Sequence, residues 1–143
     1  MRLGIKQIQY IHRSKVKDFG SLPAGSTIKL DNFLAESLSD LPFTPEIIDF
    51  LENWNVDDNG RFSEVEITSV IRADKDVHRA TLQKLTGSQH IFVLTLLSGL
   101  RYIVGTSEEV PTFSWTDKIS GISSSEFAIK IHNKSLHGVF LAV

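Results

Sequence analysis

Apolar and polar positions alternate along much of this chain. The clearest stretch is residues 91–106, IFVLTLLSGLRYIVGT, where two apolar runs of strand length flank Ser98-Gly99. A glycine there supplies the positive φ that other side chains resist, so the runs are predicted to pair antiparallel across a two-residue turn. Residues 5–11 also alternate, with Lys6, Ile8 and Tyr10 on one side and Ile5, Gln7, Gln9 and Ile11 on the other, and read as a strand. Residues 62–71 are rich in β-branched side chains and end at a charged stretch, which predicts another strand. Further strands are expected at 112–116, presenting Phe113 and Trp115 on one face, at 127–132, where Phe127, Ile129 and Ile131 alternate with Ala128, Lys130 and His132, and at 139–143. The last of these should be paired within the fold or across subunits, because an unpaired apolar strand invites aggregation.

Three regions break the pattern. Residues 12–41 are polar and turn-rich around Gly20, Pro23 and Gly25, with one short strand candidate at 27–30, and read as an irregular arm or long loop. Residues 76–86 carry the helical signature: Asp74 or Asp76 as cap, Val77, Leu82 and Leu85 toward a core, Lys84 in the last turn and Gly87 just beyond. Residues 44–54 are ambiguous. Thr44-Pro45-Glu46 resembles a helix start and Ile47, Phe50, Leu51 and Trp54 follow at helical spacing, yet Ile48, Phe50, Trp54 and Val56 would also share one face of a strand. A flexible link through Gly121 and three serines is expected before the strand at 127. The expected fold is a single β-rich α+β domain spanning 1–143, an antiparallel sandwich or partly open barrel with one or two short helices.

Length and charge narrow the function. A chain of 143 residues can bury a sizeable core as one domain. Fifteen Lys and Arg against seventeen Asp and Glu leave a net charge of −2, and neither sign forms a run that would track a phosphate backbone or an anionic bilayer. Sequence-specific nucleic acid and membrane are therefore not expected partners, and no apolar run approaches the ~20 residues of a membrane span. The first ten residues lack a secretory signal, and the absence of cysteine fits folding in a reducing cytoplasm.

Candidate chemistry is sparse. Residues 55–66, NVDDNGRFSEVE, lie over a calcium loop: Asn55, Asp57 and Asn59 fall at its first, third and fifth places, Gly60 at the sharp turn, Ser63 at the ninth and Glu66 at the bidentate twelfth. The competing reading is a turn in which Asp and Asn cap their own backbone, favoured by Asn at the first place and a β-branched exit where a helix should run. His132 and His137 flank a predicted turn and could converge on a metal, whereas His12, His78 and His90 are scattered. Glu108-Glu109 reads as a charged loop, Ser123 to Ser125 as linker, and Trp54, Trp115, Phe113 and Tyr102 as core or interface aromatics. No catalytic, cofactor-binding or metal residue is assigned, and no enzymatic activity is expected.

From Asp57 onward the order of features resembles small virion structural proteins from the tail and head-tail-junction gene clusters of tailed phages and prophages. DNGRFSEVEITSVIRADK, a short helix leading into LTGSQHIFVLTLLSGLRYIVGTSEEVPTF, and a final SSSEFAIKIHNKSLHGVFLAV carry the likeness, with the Gly-Thr-x-Glu-Glu-x-Pro-x-Phe segment at 105–113 its most specific element. The resemblance implies a non-enzymatic virion component, made in the bacterial host cytoplasm and assembling with copies of itself and neighbouring virion proteins into a ring or tube. The arm at 12–41 and the C-terminal strand would suit such contacts.

Overall fold

The computed structural model describes residues 4–23, 25–72, 75–120 and 124–142. Ten strands and one α-helix follow in the order β1 (Ile5–His12), β2 (Thr27–Ile28), β3 (Ser39–Leu41), β4 (Ile48–Asp57), β5 (Gly60–Ile71), α1 (Arg79–Thr86), β6 (His90–Leu96), β7 (Arg101–Val104), β8 (Thr112–Ser120), β9 (Ser124–Ser135) and β10 (Val139–Ala142). They form a six-stranded sheet, β2-β10-β7-β6-β1-β3, and a four-stranded sheet, β4-β5-β9-β8. All pairings are antiparallel except β10 with β2. The two sheets pack as a sandwich with no closed barrel, as the alternation of the sequence predicts.

The main core lies between the sheets. Odd-numbered residues of β5 and β9 (Val65, Ile67 and Ile71; Phe127, Ile129 and Ile131) face Ile8, Phe92, Leu94 and Val104 of the larger sheet, and Leu82 and Leu85 of α1 close one end. Even-numbered residues of β5 and β9 face out, and several carry charge. Glu66 lies 3.7 Å from Lys130, Glu64 lies 3.7 Å from His132, and the Lys134 ammonium sits 4.4 Å from the centroid of Phe62. β1 achieves its buried set differently from its simple alternation. The register shifts between Ile5 and Gln7, so Ile5 joins Ile8 in the main core while Ile11 turns to the opposite face.

The far face of the larger sheet is covered too. The segment expected as an irregular arm folds back over it, and Val16, Phe19, Ile28 and Leu30 build a second core with Ile11, Ile91, Val93, Ile103 and Phe140. Phe19 meets Phe140 edge-on at 5.0 Å. Burial on both faces explains why β6 is apolar at every position but His90 and Thr95. The arm also contributes two ladder segments: β2 pairs with β10, and β3, which the sequence pattern does not reveal, pairs with β1. β10 is thus an interior strand between β7 and β2, and its pairing is within the fold.

Other expectations need amendment. The 44–54 ambiguity resolves to strand: Pro45 sits in a turn where Ile47 N–H donates to Thr44 C=O at 2.9 Å, and β4 pairs with β5 over its whole length. The helical segment opens with a 3-10 stretch, Lys75–His78, before α1, and Val77 is exposed rather than packed. Asp74 lies outside the described residues. The β6–β7 reversal takes three residues, Leu97 to Gly99, with Leu96 N–H donating to Leu100 C=O at 2.8 Å and Gly99 at φ 92°. Of the expected linker, 121–123 lie outside the described residues, while β9 begins at Ser124.

Candidate functional site

The strongest site lies along β4, the edge of the smaller sheet. Its partner β5 occupies one side only, and its exposed residues include Leu51 at 55% and Val56 at 80%. Asp57 and Gly60 close a two-residue reversal, so Asp57, Asn55, Asn53, Leu51 and Asp49 bond to β5. The backbone N–H and C=O groups of Ile48, Phe50, Glu52, Trp54 and Val56 therefore point away from the sheet. The side chains of the same even-numbered residues point inward, toward the larger sheet.

They do not fill the space there. One end of β4 borders a groove of about 760 Å³ walled by Ile5, Ile48, Phe50, Leu96 and Tyr102, with Lys6 and Glu46 at its mouth. The other end borders a smaller recess of about 350 Å³ formed by Glu52, Trp54, Arg61, Tyr102 and His137. Tyr102 borders both spaces, its ring 5.5 Å from that of Phe50. The Arg61 guanidinium lies 4.3 Å from the Trp54 centroid, and Glu52 accepts a hydrogen bond from Val139 N–H at 3.1 Å. Gly138, at φ 68°, lies so close to both that an added Cβ would sit 2.5 Å from Glu52 Oε2 and 2.8 Å from Trp54 Cζ2.

A carboxylate latch secures this recess. Glu109 accepts from Leu136 N–H at 2.8 Å and from His137 Nδ1 at 2.5 Å, and His137 in turn tilts against Phe140. An ionised carboxylate only accepts, so the His137 proton sits on Nδ1. Glu109 is itself placed by a tight loop. Thr106 Oγ1 accepts from Glu108 and Glu109 N–H, and Gly105, at φ 99°, packs where any Cβ would strike Pro111. The Gly-Thr-x-Glu-Glu-x-Pro segment thus fastens the turn between β9 and β10, which is a structural role.

The remaining sequence candidates disperse. Residues 55–66 are not a loop around a common centre but the two arms of the β4–β5 hairpin. Asn55 faces Phe62, and Glu66 lies four positions further along β5, roughly 13 Å away at strand rise. Asp57 instead caps the turn, accepting from Asn59 N–H at 2.8 Å. His132 points to the outer face beside Glu64 while His137 is bound to Glu109, so the two do not converge. Among the described residues no group of three or more His, Asp or Glu side chains is placed to hold a metal ion. Trp115 and Phe113 pack inward, as expected for core aromatics. His90 is buried against Tyr10 and His12, and burial, reinforced by the charges of His12 and Lys84, lowers its pKa below the usual 6.5.

No protein-family model, curated protein or solved structure matches the chain. The β4 site was not singled out by sequence reasoning. Its available signal was compositional: residues 46–59 hold five acids, Glu46, Asp49, Glu52, Asp57 and Asp58, and no Lys or Arg.

Proposed function

We propose that this protein is a non-enzymatic structural component of a tailed-phage virion, at the tail or head-tail junction, assembling through contacts with copies of itself and neighbouring virion proteins after synthesis in the host cytoplasm. The observation that supports an assembly role is the long open edge of β4, a ten-residue strand whose alternate residues turn their backbone groups outward beside an unfilled groove. Monomeric sheets usually blunt such edges, and the larger sheet does so by ending in strands of two and three residues. An edge that receives a segment of a neighbouring chain makes a heterologous contact, the arrangement that generates rings and tubes. The arm and the C-terminal strand are engaged within the protomer, which shifts the expected contacts from them to β4.

The test is quantitative mass spectrometry of purified phage particles from a strain carrying the gene, alongside light scattering of the isolated protein. The reading expects several copies per particle, in a fixed ratio to the other tail proteins. Absence of the chain from intact particles that retain their tails would refute it.

A further inference from the structure

β4 borders β5 alone in its sheet, and the groove walled by Ile48, Phe50 and Tyr102 lies beside its open edge. The geometry points to strand addition at this position: an extended, basic segment of another polypeptide adds beside β4 as a fifth strand and seats alternate side chains in the groove. Strand addition of this kind draws affinity from main-chain hydrogen bonds and selectivity from the pockets that receive every second residue. Here the outward backbone groups of Ile48, Phe50, Glu52, Trp54 and Val56 supply the first. The groove, apolar beside Ile48 and Phe50, and the recess, aromatic beside Trp54, supply the second.

Charge selects the occupant. Five acids and no bases lie between positions 46 and 59, and among the described residues lining the groove and recess the basic side chains opposing them are Lys6 and Arg61. Arg61 is already stacked on Trp54. A second copy presenting its own β4 would bring Asp49, Glu52 and Asp57 against the same three, with Glu46 and Asp58 just beyond the strand ends, and like charges across a strand pair repel. A β8 edge, with one Asp and one Lys along Thr112–Ser120, offers no compensating charge. A segment alternating Lys or Arg with apolar residues satisfies both faces. This inference rests on the assembly reading in naming a companion chain, but its test uses the isolated protein and stands whether or not the chain is found in virions.

The probe is a capped octapeptide alternating Lys and Val, compared with its Glu–Val counterpart. Hydrogen exchange of the intact protein should show the amides of Phe50, Glu52, Trp54 and Val56 slowed on the order of tenfold by saturating Lys–Val peptide and unchanged by Glu–Val peptide. Val56→Pro removes one outward N–H without touching a β5 bond, a change edge strands tolerate, and should weaken peptide affinity about tenfold while the melting temperature holds. Should that variant misfold, Asp49→Lys combined with Glu46→Lys tests the same site and should weaken the Lys–Val peptide by a similar factor. Equal binding of both peptides, or binding indifferent to these substitutions, overturns the proposal. Protection of the β4 amides before peptide is added, lost on dilution to monomer, also overturns it by identifying a second copy as the occupant.

Discussion

Replacing Glu109 by Ala removes the acceptor for two hydrogen bonds at once, those from Leu136 N–H and His137 Nδ1. A hydrogen bond to a charged group contributes about 1.5–3 kcal/mol when buried. Both the Glu109 and His137 side chains are 22% exposed, so water partly replaces the lost carboxylate, and the expected cost is about 2 kcal/mol for the pair of bonds. For a chain of this size that corresponds to a fall of roughly 5–8 °C in melting temperature. His137→Ala should cost about 1–2 kcal/mol, since the ring also leaves Phe140. The informative measurement is the double-mutant cycle by urea unfolding. The two side chains share one bond, so the double variant should be less destabilised than the sum of the singles by about 1 kcal/mol. Additivity within roughly 0.3 kcal/mol would refute the latch as a coupled unit and leave Glu109 a solvated loop acid.

Other outcomes follow from single contacts. Gly138→Ala places a Cβ against Glu52 and Trp54 at a left-handed φ, and should cost about 2–4 kcal/mol with a shift in tryptophan emission; a change below roughly 0.5 kcal/mol would contradict the packing. His90 is held neutral by burial while the unfolded chain protonates near pH 6.5, so the unfolded state binds more protons as pH falls. Its contribution is complete above about pH 6.5 and declines below it, and urea midpoints should drop from about pH 7 to about pH 5.5 by less in His90→Gln than in wild type. An equal drop in both would locate the pH dependence elsewhere. Calcium should leave the melting temperature unchanged in wild type and in Glu66→Ala alike, because residues 55–66 form a hairpin; a saturable rise in wild type alone would require a different local structure.

Much of the strand framework is legible in the chain because burial on one face imposes alternation, as in Val65, Ile67, Phe127, Ile129 and Ile131. The β6–β7 hairpin is legible for a different reason, since Gly99 punctuates two continuous apolar runs. Legibility fails where residues serve two patterns or none. β4 reads equally as helix because it is an edge: with no second neighbour among the described strands, its outward face is free to carry Leu51 and Asn53 without a clean period. β3 is three residues recruited by β1, and Ser39 and Asp40 carry no strand preference of their own. The arm's apolar residues Val16, Phe19, Ile28 and Leu30 follow no period because they cover a sheet from irregular backbone. The candidate site is hidden for the same reason as β4. A groove is a space between elements far apart in sequence, and only the run of acids from Glu46 to Asp58 marks it beforehand.

The lone parallel pairing among the described strands, of Thr27 and Ile28 with Leu141 and Ala142, has a kinetic corollary. β2 borders β10 alone in its sheet, so the apolar underside of the larger sheet stays unshielded until a stretch encoded far downstream has emerged and docked. Nascent chains should therefore linger in a sticky, half-clad form. Chaperone dependence during synthesis, relieved once Leu141 and Ala142 are in place, is the cost of stitching two remote parts of the polypeptide side by side.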